Sequence, residues 1–477
     1  MREESENFEG EESPESTREQ VVRYEEMVRK QDQYFFDVDS FLSIVDYYFL
    51  KNDPVRAMQV VIYARAQHPY TVIFLLKQAQ LHSLQKDYDK AFISIEKAMG
   101  MDPSDPEIFL TRGTIYSQME YFDEALADFN EALRLTDEPD QVYQLIGFTY
   151  QGLGDYEKAS EFFILALKDN HENEAALFEL GFCFDVLEKY EESISYYNSF
   201  INDHPYSAYA WFNLGIAYHK LELYEKALQA YDYCILIQEG FSAAFFNKGN
   251  TLAQMERYAD AIECYKHTFE LEPPDALTYY NIGECYESQD MSREARAHYK
   301  KAVKLDPVLS DGWFGIGITL EYEDRFYEAL HFVKKAIEID AFNPEYWFSL
   351  GDIQIRLGKT EEADHAYRKV IELAPDDPGI WAEYAQALSA QKRFSESLEI
   401  IKEGIKNHPG SSGLRYLLVS TLYFGGFRKE ALLELESALD RFYEGHPGLF
   451  EKFPKLIEDN DISNMIESFP GKGKLKP

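Results

Sequence analysis

The stretch Trp211-Phe212-Asn213-Leu214-Gly215-Ile216-Ala217-Tyr218, followed by Ala227 and Tyr231, holds the plan of the chain. Trp211, Gly215 and Tyr218 stand four and three residues apart, so they share one face of a helix. Ala227 and Tyr231 do the same on a second helix. Stepping outward from Ala227 by 34 residues gives Ala57, Ala91, Ala125, Ala159, Ser193, Ala261, Ala295, Ala329, Ala363, Ser397 and Ala431, every one small. A fixed period of this length marks a solenoid, whose units bury their apolar faces only against their neighbours.

The other positions keep the same period. Twelve residues before the small residue lie Gly113, Gly147, Gly181, Gly215, Gly249, Gly283, Gly317 and Gly351, with Val45, Ala79, Ala385 and Val419 at the two ends. Four residues before that position comes a bulky group such as Phe109, Tyr143, Trp313 or Trp347. Four residues after the small residue comes Phe129, Phe163, Tyr197, Tyr231, Tyr265, Tyr299 or Tyr367. Pro69, Pro103, Pro205, Pro273, Pro307, Pro375 and Pro409 mark the unit boundary, where Pro ends a helix because it cannot donate to the ladder.

This pattern resembles the tetratricopeptide repeat, in which Trp-x2-Leu-Gly-x2-Tyr is followed by Ala-x3-Phe and then Pro. The resemblance runs from Val38 to Gly445 in unbroken frames, from 38–71 to 412–445. It implies an all-α, right-handed α-solenoid of about twelve helix-turn-helix units with N- and C-terminal capping helices. Glycine inside a helix costs about 1 kcal/mol against alanine, so its recurrence demands a packing reason. The expected reason is close approach of two backbones, with Gly215 facing Ala227 and the aromatics filling the space between units.

Around the repeats, 1–37 reads as an acidic arm and a capping helix, and 446–477 as capping helices with a basic tail carrying Lys472, Lys474 and Lys476. Residues 1–19 are polar enough to be disordered. Val21, Tyr24, Met27 and Val28 have helical spacing. Leu449, Phe450, Phe453, Leu456, Ile457, Ile462, Met465, Ile466 and Phe469 form the apolar face of the C-terminal cap. No Gly/Ser/Pro-rich linker interrupts the repeats, so one continuous domain is expected.

The formal net charge of −38 argues against nucleic acid, whose phosphates call for Lys and Arg, and against an anionic membrane surface. Cys183, Cys234, Cys264 and Cys285 lie inside repeat helices without a paired spacing, which fits buried core residues in a reducing compartment. The N-terminus lacks a secretory pattern, no apolar run approaches membrane-spanning length, and the expected location is cytoplasmic.

Chemistry finds little support. Leu357-Gly358-Lys359-Thr360 ends like a phosphate-binding loop, but Ile353 stands where that motif needs glycine. Gly358 reads as a turn glycine, and Gly315-Ile316-Gly317 lies within a helix. His68, His204 and His408 precede prolines at unit boundaries. His219 reads as a surface residue. Glu361 and Glu362 sit at a helix N-terminus, where carboxylates are favoured. Little chain remains outside the repeats, so an enzyme is not expected, and no cofactor or metal is expected.

The functional expectation is a non-catalytic scaffold or adaptor that binds a protein or extended peptide in a concave groove. The alternative is a structural protein that self-associates through the solenoid ends or the convex face. The chain would be a monomer or a weak homo-oligomer. The resemblance places the groove on helix A, at the two places after the bulky aromatic. The first place reads Phe178, Phe212, Phe246, Tyr280, Phe314 and Phe348, and the second includes Asn213, Asn247 and Asn281. Asn offers both a donor and an acceptor to a peptide backbone. Asn250, Glu284, Glu287, Asp311, Glu321, Glu345 and Asp352 lie further along the same face, against Arg356. A neutral or basic partner follows, and the basic clamp that grips acidic tails is not apparent.

Overall fold

The computed structural model describes residues 14–469. Among these residues all regular secondary structure is helical, and no helix is long and apolar enough to cross a membrane. Twelve helix pairs follow one another from Val38 to Phe442, one per 34-residue frame. Helix A opens each frame and helix B begins sixteen residues later, as in Ala208–Lys220 and Tyr224–Ile237.

Each A-to-B corner closes in the same way. Asn52, Lys86, Glu120, Gly154, Glu188, Glu222, Glu256, Asp290, Asp324, Gly358, Lys392 and Gly426 all hold a left-handed φ, between 53° and 88°. The next residue donates its backbone N–H back across the corner, Leu223 to the Tyr218 carbonyl at 2.9 Å and Lys359 to that of Gln354 at 2.8 Å. These bonds satisfy carbonyls that a helix end would otherwise leave orphaned. Gly358 is thus the turn glycine expected, and Gly315 and Gly317 lie in helix Ser310–Glu321. Side chains start many helices. Asp53, Asp87 and Asp155 accept a backbone N–H at the head of helix B, and Asn173, Ser207 and Asn343 do so for helix A. His68, His204 and His408 terminate B-helices, as their place before proline implied.

The reason for the recurring glycine differs from the expectation. The group seated on Gly215 is the Tyr231 ring, one turn beyond Ala227 in the same helix B. The same ring-on-glycine contact pairs Gly113 with Phe129, Gly147 with Phe163, Gly249 with Tyr265, Gly283 with Tyr299 and Gly351 with Tyr367. The large aromatic therefore fills space inside its own unit. At Gly317, where Val333 replaces the ring, helix B backbone atoms are among the nearest, with the Ala329 carbonyl oxygen 3.5 Å from the position of an added Cβ. The small residues Ala57 to Ala431 are buried as their period required, Ala227 completely.

Packing divides the chain into two compact units after Glu239, in the link between helices Tyr224–Ile237 and Ser242–Gln254. In the N-terminal unit, the first helix starts at Pro14 rather than near Gln20, so residues 14–19 belong to it. Residues 1–13, the rest of the expected disordered arm, lie outside the described residues. Val21, Tyr24 and Met27 are buried against the first repeat, while Val28 is exposed. The extended segment after this helix is strapped down by Gln67, which accepts from Phe36 N–H and donates to the Tyr34 carbonyl. In the C-terminal unit, Leu449, Leu456, Ile462 and Ile466 are buried in the cap, with Phe450, Phe453, Met465 and Phe469 packed on them. Ile457 departs from that expectation and is exposed. Arg428 holds the cap through Asp459 and Asp461. The tail lysines lie outside the described residues.

Candidate functional site

Helix A residues three and four apart share a face, so Tyr280, Glu284 and Glu287 of helix Ala276–Glu287 point the same way. In the next unit Asp311, Phe314, Gly315 and Ile318 of helix Ser310–Glu321 do likewise. With Ser288, Tyr299, Tyr322 and Glu345 they enclose a cleft of about 440 Å³. Four carboxylates, Glu284, Glu287, Asp311 and Glu345, line it. No Lys or Arg lines it, and among the described residues none pairs with any of the four. Burial raises Glu287 above the ordinary glutamate range, and protein crowded around Glu284 raises it as well, although Glu284 is exposed on the cleft surface.

Tyrosine hydroxyls organise these acids. Tyr280 donates to Glu284 at 2.8 Å and Tyr299 to Glu287 at 2.7 Å, while Tyr346 donates to Asp311. Burial and the neighbouring carboxylates push Tyr280 and Tyr299 far upward, so both remain neutral donors. Gly315 makes room for the Tyr299 ring from the preceding unit, since an added Cβ would meet it at 2.6 Å. Phe314 packs tilted against the Tyr346 ring, their centres 4.7 Å apart, and its remaining surface and exposed Tyr322 give the cleft apolar walls.

Further along, Glu321 accepts from Ser349 at 3.3 Å and Asp352 accepts from Tyr367, both raised chiefly by burial. Phe348 is half-buried beside Tyr367. The exposed Arg356 guanidinium lies over the Phe326 ring, 5.7 Å from its centre.

Tetratricopeptide repeat models match residues 74–105, 106–139, 140–168 and 344–377, with related models of the same repeat matching 186–235 and 241–307. Together they span more than half of the chain. The chain is a tetratricopeptide repeat protein.

Among solved structures, this tetratricopeptide repeat protein is similar to the Cut9–Hcn1 structure of an APC/C hetero-tetramer. The identity is 12% over 84% of this chain and 92% of that one, with a TM-score of 0.42. It is also similar to YrrB, described as a TPR protein with an unusual peptide-binding site, at 20% identity over 41% of this chain and 97% of that one, TM-score 0.34. MamA is similar at 21% identity over 34% of this chain and 94% of that one, TM-score 0.32. A search of curated protein sequences found no match.

The repeat scaffold distributes the residues expected in the groove unevenly. In the N-terminal unit Phe178 is exposed, but Phe212 and Asn213 are each only 4% exposed and leave the candidate set. Asn213 fills the hollow at Gly181 and donates to the Leu177 carbonyl at 2.8 Å and the Tyr197 hydroxyl at 3.0 Å. In the C-terminal unit Phe246, Tyr280, Phe314 and Phe348 are all half-buried on helix A. Asn281 donates to Asn250, which also accepts from Tyr265, and Asn247 donates to the Ala243 carbonyl of its own helix. These amides hold the repeats together or cap their own backbone. Sequence reasoning missed Ser288, Tyr299, Ile318 and Tyr322. The signal was present, since Asp311, Phe314, Ile318 and Tyr322 continue one helical face at steps of three and four. Half-buried His219 packs beside Tyr224, and burial lowers its basicity. Among the described residues no group of three His, Cys, Asp or Glu could hold a metal ion.

Proposed function

We propose that this protein is a scaffold whose C-terminal unit binds an extended, basic segment of a partner protein in the cleft between helices Ala276–Glu287 and Ser310–Glu321. One observation carries this reading: four carboxylates line the cleft with no Lys or Arg among the lining residues. Unpaired acids gathered in a concave, partly desolvated space repel one another, and a Lys or Arg side chain from a partner relieves that repulsion. Phe314, Tyr322 and Tyr280 offer apolar area to the aliphatic stem of such a side chain. The scaffold reading is non-catalytic.

Fluorescence anisotropy with labelled extended peptides tests the proposal. A Lys-containing peptide should bind in a salt-sensitive manner, and its Glu-containing counterpart should not. The paired substitution Glu284→Lys and Asp311→Lys, in a variant with an unchanged circular dichroism spectrum, should reverse that preference. Equal binding of the two peptides, or an unchanged preference in the variant, overturns the reading.

A further inference from the structure

In two successive repeats a lysine of helix B covers the aromatic ring at the fourth position of helix A. Lys301 Nζ lies 5.1 Å from the centre of the Tyr279 ring, and Lys335 Nζ lies 4.5 Å from that of Trp313. One period later the equivalent residues are Trp347 and Lys369. There Lys369 turns away and pairs with Glu372, and no cation among the described residues covers the Trp347 ring. The repeat that should supply its own cation does not.

The Trp347 ring, with the His365 ring T-shaped to it at 6.0 Å, borders a groove of about 680 Å³, within the size range of ligand sites. Trp347, Leu350 and Gln354 form its floor, on one face of helix Pro344–Arg356. Glu338 and Lys334 come from helix Phe326–Ile339, and Glu361, Glu362 and His365 from helix Thr360–Leu373. Three carboxylates, Glu338, Glu361 and Glu362, outnumber Lys334 in the lining. Gln354 is only 4% exposed, yet its Oε1 has no hydrogen-bond partner. A buried acceptor left unpaired is unfavourable, and an N–H donor entering the groove satisfies it.

We propose that this groove is a second binding site, separate from the acidic cleft, for an alkylammonium group: a lysine side chain of a partner or a free polyamine. The ring face attracts the cation as Trp313 attracts Lys335. Gln354 Oε1 accepts one of its protons, and Glu361 and Glu362 supply the opposing charge. Lys369 is a built-in competitor, held away from the ring by Glu372.

The experiment follows the indole N–H signals of the full chain labelled at its 4 tryptophans, with the Trp347 signal assigned by Trp347→Phe. The probes are N-acetyl-lysine methylamide, putrescine and the neutral N-acetyl-norleucine methylamide. A saturable shift confined to Trp347 is expected with an ammonium probe and not with the neutral one. Saturation by the lysine amide alone assigns a peptide side chain, and saturation by putrescine as well admits a free polyamine. Gln354→Leu should weaken binding by about tenfold. Glu372→Ala frees Lys369 to cover the ring and should weaken it too, and adding Lys369→Met should restore it. These last two positions lie on the exposed flank of helix B, so they keep the test open if Gln354→Leu fails to fold. No saturable shift, a common drift of all the indole signals, or an unchanged affinity in Glu372→Ala overturns the proposal.

Discussion

The Tyr231 ring rests on Gly215, so that an alanine Cβ there would fall 2.5 Å from ring carbon Cε1. Tyr231 follows Gly215 by sixteen residues, and the same spacing joins the other ring-and-glycine pairs in both units. In these six repeats the glycine thus holds the inner surface open for a ring that is almost wholly buried.

That relationship separates two kinds of glycine. Gly215→Ala gains up to about 1 kcal/mol of helix propensity but overpacks the ring, at about 1–3 kcal/mol, and should lower the melting temperature. Gly100 lies in helix Tyr88–Met101 with nothing within 4 Å of an added Cβ. Gly100→Ala should stabilise, by up to about 0.5–1 kcal/mol. Thermal unfolding of the two variants side by side checks the contrast in sign.

The asparagines divide in the same manner. Asn213→Ala removes two buried hydrogen bonds and opens the hollow at Gly181, so a loss of about 1–3 kcal/mol is expected. Asn247→Ala gives up one bond to its own helix at a half-buried site, and its effect should stay within about 0.5 kcal/mol. Denaturant melts read both, and neither substitution should change binding of a Lys-containing peptide.

Arg112 and Asp128 tie helices Pro106–Gln118 and Phe122–Leu135 together by two hydrogen bonds of 2.7 and 2.6 Å. Asp128 is 6% exposed, so Arg112→Met strands a buried carboxylate and should destabilise by roughly 3 kcal/mol. Adding Asp128→Leu removes that stranded charge and should recover most of the loss. A double-mutant cycle on thermal stability measures the coupling.

The acidic cleft makes a pH prediction with a definite sign. Glu284 and Glu287 hold their protons more tightly in the folded chain than in the unfolded one, chiefly through burial. Ionising them therefore opposes folding, and that penalty is relieved as pH falls through the raised values. Over the same interval the cleft loses negative charge, so affinity for a basic peptide should fall while local stability does not. Glu284→Gln with Glu287→Gln should reproduce the low-pH affinity at neutral pH without lowering the melting temperature. Anisotropy titrations and melts across that pH range check both halves.

The period of Ala57 to Ala431 located every A- and B-helix from Val38 to Phe442, because a 34-residue unit leaves the two helices little freedom of placement. What rests on Gly215 was less legible. Trp211, Gly215, Ala227 and Tyr231 show that small and large groups must interlock, but spacing alone does not say which ring enters which hollow. Phe212 and Asn213 were misjudged for a related reason. They share a register with Phe246 and Asn247, yet Gly181 receives Asn213, whereas Gly215 receives a ring from its own unit. Local packing overrode the register. The acids of the cleft were visible on the same face of successive A-helices. Their gathering with Tyr299 and Tyr322 needed the position of the neighbouring helices.

Nine of the twelve left-handed corners, from Asn52 to Lys392, carry side chains where glycine would sit without strain. For an L-residue that geometry is disfavoured by about 1–2 kcal/mol, less for the Asn and Asp corners. These sites lie on the short links between helices, and none is itself among the residues assigned to either binding surface. A lineage moving to a hotter habitat could therefore exchange them for glycine one at a time, gaining thermal tolerance in small steps, largest at the Lys and Glu corners, while the residues of its recognition surfaces stayed as they were.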